Sequence, residues 1–231
     1  MLLLPIRFFK YFVCRCYKKN NPPIFNDALI LYNRINIKHN IKISDGSAGL
    51  SHFNYVLEAF AGNDLATIEQ LYPKNKQAFL GKQKAFPQAV SNLLLGMVQH
   101  NKTIIEKGKD DAKRCLNNKN GNFEIALIQY LLALLNKDIK QVSVHLIALI
   151  KYYRRARWIH DFKNPLSKII PLYIYGLYNL ARYFLNPSDY SQIEIPENND
   201  LIWDDFCKIT TNGKPSLIFT GRLTPLNKLY E

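Results

Sequence analysis

From residue 46 to residue 185 the apolar residues recur with a helical period, and the breaks between runs fall at residues that cap helices rather than at strand turns. That rhythm sets the class: mainly α, with stacked antiparallel helical hairpins in a single domain. Ser47 to Ala61 reads as a helix carrying Phe53, Val56, Leu57 and Phe60 on one face and closed by Gly62. Asn63 or Asp64 then caps a second helix running to about Tyr72, because a side-chain oxygen there accepts an otherwise orphaned first-turn amide hydrogen. The same grammar returns at Asn122 to Leu135, where Asn136, Lys137 and Asp138 make the turn into a partner running from Ile139 to about Arg155. A shift of 74 positions lays Phe53 on Leu127, Leu57 on Leu131, Phe60 on Leu134 and Asp64 on Asp138, an approximate internal repeat of helix, tight turn and helix.

The rest of the chain divides around this core of residues 46–185. Two further helices lie between the hairpins: Gln88 to Gln99 after Pro87, and Lys102 to Leu116, whose Glu106, Lys107, Lys109, Asp110, Asp111, Lys113 and Arg114 form a solvated outer face. A last long helix spans about Leu166 to Leu185, and Pro171 either kinks it or marks its true start. Residues 186–231 form an acidic loop and an irregular tail, in which the apolar run Ser216 to Thr220 is a short-strand candidate. Residues 1–45 are less regular. Ile35, Ile37, Ile41 and Ile43 alternate like a strand, whereas Ala28, Leu29, Leu31 and Tyr32 do not.

Length sets one bound: 231 residues suit one large domain or at most two small ones, and 48% hydrophobic content is enough for a core. No stretch promises a membrane span, since that needs roughly 20 mainly apolar residues and the best uncharged run, Ile169 to Ala181, has 13. The opening MLLLPIRFFKYFVCRCY is unlike a secretory signal, because Arg7, Lys10 and Arg15 interrupt its apolar run and no small-residue cleavage site follows. As a helix it puts Ile6, Phe9, Val13, Cys16 and Tyr17 on one face, with Arg7, Lys10, Lys18 and Lys19 mostly on another. Such a helix either docks on the core or, through residues 1–19, touches an anionic membrane surface. Four cysteines, at 14, 16, 115 and 207, do not make a disulfide scaffold and fit reduced thiols in a cytoplasm.

No metal-ligand spacing, phosphate-cradling glycine loop or catalytic constellation stands out, so the expectation is a protein with no catalytic residues, no metal and no cofactor. The histidines at 39, 52, 100, 145 and 160 carry no zinc motif; His145 sits on an apolar helix, where a core role is the simpler reading. His160 and Asp161 are adjacent, and adjacent residues do not face each other on a helix. Arg15 between Cys14 and Cys16 would lower a thiol pKa, but the spacing is not that of a redox motif.

Charge is the other signal. A formal net charge of +13 favours an acidic partner. Lys151, Arg154, Arg155, Arg157, Lys163 and Lys168, with Tyr152, Tyr153 and Trp158 among them, suit phosphates and bases, or simply solvate a helix end and complement its dipole. Downstream, Asp189, Glu194, Glu197, Asp200, Asp204 and Asp205 gather with no Lys or Arg between Arg182 and Lys208. Tyr190, Ile193, Ile195, Ile202 and Trp203 give that loop apolar anchors, the mixture found at protein interfaces, or the loop folds back onto the basic patch. The partner-binding positions expected from this are Tyr190, Glu194, Glu197, Trp203, Asp204 and Asp205. The alternative site is the basic patch Lys151, Arg154, Arg155, Arg157 and Lys163.

Between residues 120 and 205, the hairpin NFEIALIQYLLALLNKDIKQVSVHLIALIKYY leads through a polar joint into PLYIYGLYNLARYF and then the acidic SQIEIPENND. In its apolar spacing and its run of Gly176, Leu177, Ala181 and Arg182, this stretch resembles the helical immunity proteins of bacterial polymorphic-toxin systems, which include contact-dependent inhibition and type VI secretion loci. The resemblance implies a small cytoplasmic helical protein that binds and blocks one cognate toxin domain. The positive charge would oppose a basic toxin unless residues 186–205 form the contact, so it favours a toxin that is not strongly basic. The rival from another class is a helical module that binds nucleic acid or an anionic membrane surface through its cations.

Overall fold

The computed structural model describes residues 6–18, 21–40, 52–80, 85–117, 121–153, 155, 170–196 and 220. Helices take up 79% of them, and no strand occurs among the described residues, which makes the chain mainly α. The helices are α1 (Ile6–Lys18), α2 (Pro22–Asn40), α3 (His52–Ala61), α4 (Leu65–Leu71), α5 (Ala85–Gln99), α6 (Lys102–Leu116), α7 (Asn122–Leu135), α8 (Ile139–Tyr153), α9 (Leu172–Phe184) and α10 (Pro187–Ser191).

Three hairpins, α3/α4, α5/α6 and α7/α8, share one turn. Asn63, His100 and Lys137 each adopt a left-handed conformation, with φ of 53°, 52° and 55°. In each, the left-handed residue donates its N–H to a carbonyl three residues back (Phe60, Met97, Leu134), and the next residue donates to one five back (Ala59, Gly96, Ala133). That is a Schellman closure. The residue making the longer bond then caps the following helix, as the side chains of Asp64, Asn101 and Asp138 accept from the N–H groups of Thr67, Ile104 and Gln141 at 3.3, 3.2 and 3.1 Å. The left-handed positions 63, 100 and 137 stand 37 residues apart, so the shift of 74 steps over a middle hairpin of the same design.

The expected core is in place. Phe53, Val56, Leu57, Phe60, Leu127, Leu131 and Leu134 are all buried. α3 is at the centre, packed on α2, α4, α5 and α9. Gly176 of α9 meets α3 so closely that a Cβ there would run into the Leu57 carbonyl oxygen. Asn179 of α9 donates its amide to the carbonyls of Phe60 (2.9 Å) and Ala61 (3.4 Å), which lie in α3's last turn, where carbonyls lack helical partners. Tyr130 of α7 donates to the Leu177 carbonyl at 2.7 Å, so α9 ties the first hairpin to the third.

Several boundaries differ from the sequence reading. α2 is one continuous helix; every residue from Phe25 to Asn33 is buried, so its apolar residues follow no single face and Ile35 and Ile37 only mimic alternation. α5 begins at Ala85, with Pro87 in its first turn, where a missing N–H breaks no helical bond. Pro171 precedes α9 and marks its start. Asp111 is not on a solvated face. It is 1% exposed and accepts from Gln88 (3.1 Å) and Asn92 (2.8 Å) on α5, with Arg114 as its ion-pair partner. α1 docks on α2 through Val13 and Cys16, while Tyr11 and Arg15 face outward. Ser47 to Ser51, Leu166 to Ile169 and Ser216 to Phe219 lie outside the described residues. No described helix is long and apolar enough to cross a membrane.

Candidate functional site

Of the sequence-predicted residues that the structure describes, Lys151 lies on α8, Arg155 just past its end and Glu194 beside it, while Tyr190 packs on α9. Helix α8 turns Val142, Leu146, Leu149, Ile150 and Tyr153 inward. Lys140, Val144, Ile147 and Lys151 recur at helical spacing on one outward strip, about 16 Å long at 1.5 Å per residue. Val144 is 48% exposed and Ile147 37%, so the strip has an apolar centre with a lysine at each end. Arg155 is exposed just past the helix end, and Lys151 places its ammonium 5.9 Å from the Tyr152 ring.

The acidic segment borders this strip. Asn186 caps α10 by accepting from the Asp189 N–H at 2.8 Å, and its amide donates to the Asp189 carboxylate at 2.8 Å. After α10, Ile193 is buried and the Glu194 N–H donates to the Ser143 hydroxyl oxygen at 2.9 Å, leaving the Glu194 side chain exposed. Ser143 hydroxyl in turn donates to the Ile139 carbonyl at 3.0 Å. Tyr190 is half-buried, its ring 5.0 Å from that of Tyr178 and 5.6 Å from the Arg182 guanidinium carbon. Burial pushes its phenol well above the ordinary value, with Tyr178 adding to the shift. Tyr190 therefore anchors the segment to α9, while the Glu194 backbone is tied to Ser143 of α8, whose position is about 12 Å along the helix axis from that of Lys151. Arg154, Arg157, Lys163, Glu197, Trp203, Asp204 and Asp205 lie outside the described residues.

Val144 and Ile147 are site residues the sequence reading missed. α8 carries apolar residues on both faces, so the inward set masks the outward pair; the available signal was the spacing of Lys140 and Lys151 around them.

Other polar groups are enclosed. Glu58 on α3 is 3% exposed and lies near Tyr32, Tyr55, Tyr153 and Tyr173, whose phenols are raised first by burial and then by its charge. His145 has its imidazole pKa lowered by burial, against an opposing pull from Asp138. Among the described residues no group of three His, Cys, Asp or Glu side chains is placed to hold a metal ion, and Cys14, Cys16 and Cys115 form no disulfide with one another. Comparison with protein-family models, with curated proteins and with solved structures finds no match.

Proposed function

We propose that this chain is a non-catalytic immunity protein that binds and neutralises a cognate bacterial toxin domain. The observation supporting the reading is the outward strip of α8, an apolar pair at Val144 and Ile147 between Lys140 and Lys151 with Glu194 beside it. An apolar centre within a charged rim suits a folded protein partner better than a nucleic acid, whose backbone is met mainly by cations. The identity of that partner as a toxin rests on the resemblance of residues 120–205 to helical immunity proteins. A toxin with an apolar patch flanked by acids complements the strip.

The test is Ile147→Asp, a change at an exposed position that leaves the fold standing. Binding to the toxin encoded beside this chain should weaken by 2 kcal/mol or more, about thirtyfold, if Ile147 is central. Unchanged binding and unchanged protection of toxin-expressing cells would remove this face from the account. Lys151 and Arg155 keep the nucleic-acid reading in play. On that reading affinity for an oligonucleotide falls steeply between low and physiological salt, and Lys151→Ala with Arg155→Ala flattens the slope. The immunity reading expects only weak binding there, without sequence preference.

A further inference from the structure

A second concave surface lies away from the α8 strip. It is a cleft of about 500 Å³ formed by α4, the segment after it, the turn between α5 and α6, and the end of α9. That volume is in the range of small-molecule sites. Leu65, Ile68 and Val98 give it apolar lining, and Tyr183, 43% exposed, stands at its side. Its charged groups are of both signs, Glu69 on α4 and Lys74 on the segment after it, with the His100 side chain from the α5–α6 turn beside them, all exposed.

The cleft is held in shape by Gln99. Its side-chain amide donates to the carbonyls of Pro73 (2.5 Å) and Lys76 (3.2 Å), which pins the segment carrying Lys74 to the end of α5. The Gln99 Oε1 itself is buried and enclosed, so the side chain serves the cleft through this strap. Lys76, partly buried, sits 5.8 Å from the Tyr72 ring and 5.1 Å from the Phe79 ring, which further fixes the strap.

We propose that this cleft binds a small zwitterion with an apolar body, of the amino-acid or dipeptide class. Its ammonium group meets Glu69, its carboxylate meets Lys74 and an imidazole N–H of His100, and its side chain covers Leu65, Ile68 and Val98. A ligand bearing one charge satisfies only half of that lining, and a purely apolar one leaves all the charged groups without a counterpart. The inference stands apart from the immunity reading, since it uses none of the α8 residues.

The experiment is an NMR titration of the full, isotope-labelled chain with L-phenylalanine, phenethylamine, 3-phenylpropionate and N-acetyl-L-phenylalanine amide. L-Phenylalanine should bind with Kd on the order of 1 mM, shifting the Gln99 side-chain amide and the backbone amides of Val98 and His100. Each single-charge analogue should bind at least about threefold more weakly, the scale of an exposed ion pair. Glu69→Gln should weaken L-phenylalanine without affecting 3-phenylpropionate, and Lys74→Gln should weaken it without affecting phenethylamine. Equal binding of the neutral amide, binding of either single-charge analogue within twofold of the zwitterion, or shifts confined to residues outside the cleft would overturn the proposal.

Discussion

The first and third hairpins turn in the same way and live in different surroundings. Asn63–Asp64 and Lys137–Asp138 share their left-handed residue, their Schellman bonds and their Asp cap. Asp64, however, is fully buried and bound by both Nε (2.8 Å) and a terminal nitrogen (2.7 Å) of Arg34 from α2, whereas Asp138 is exposed and caps its helix alone. Around the first turn, Asn33 donates to the Glu58 carbonyl at 2.6 Å, Asn63 to Asn26 at 3.1 Å and Asn179 to Phe60. The third hairpin instead presents Lys137, Lys140, Val144, Ile147 and Lys151 to solvent. One local solution is thus used as a structural hub in the first hairpin and as an outward surface in the third.

The largest effect should come from the shared aspartate. Asp64→Ala removes a cap and both hydrogen bonds that its carboxylate accepts from Arg34, which is 14% exposed, so it should cost about 2 to 4 kcal/mol in urea unfolding. Asp138→Ala should cost about 1 kcal/mol, the worth of a cap alone. Similar losses at the two sites would erase the distinction. Next is the seam that makes the first hairpin a hub: Gly176→Ala forces α9 off the Leu57 carbonyl and should cost about 1 to 3 kcal/mol by overpacking. A smaller and opposite change is expected at the left-handed lysine. Lys137→Gly should raise stability by about 0.5 to 1 kcal/mol, because glycine adopts that conformation without a Cβ penalty. Asn63→Gly should gain less, since it gives up the bond to Asn26.

The smallest effect concerns pH. The His145 imidazole is held below its ordinary pKa by burial, so the folded state favours the neutral form. Its contribution to stability is present above the unfolded pKa and is lost as pH falls through the ordinary imidazole range toward the folded value. A His145→Gln chain should lose that part of the slope of urea midpoint against pH, and an identical slope would assign the titration to other groups.

What the sequence disclosed follows the same division. Helix ends and turns are local, so Gly62 to Asp64 and Asn136 to Asp138 were legible from glycine, asparagine and aspartate at the breaks. The middle turn does not read as a copy because neither Gln99 nor His100 has the glycine or asparagine signature of Gly62–Asn63, and Gly96, whose carbonyl accepts from Asn101, lies inside a helix. Long-range placement was hidden. Nothing local in Asn179 points to Phe60, 119 positions earlier, and nothing in Asp111 distinguishes it from the solvated acid at Asp110. At the candidate site, Glu194, Lys151 and Arg155 were legible as charge, while the exposure of Val144 and Ile147 depends on which face α7 and α9 cover.

The central claim is that the third hairpin's outward face receives a protein partner while the buried hub of the first hairpin at α3 does not touch that partner. Hydrogen–deuterium exchange of the full chain, with and without a candidate toxin domain as the proposed partner, tests this directly. The account predicts slowed exchange at α8 amides between Lys140 and Lys151 and in the segment around Glu194, with α3 unchanged. Protection confined to other parts of the chain, with α8 exchanging at its free rate, would contradict it.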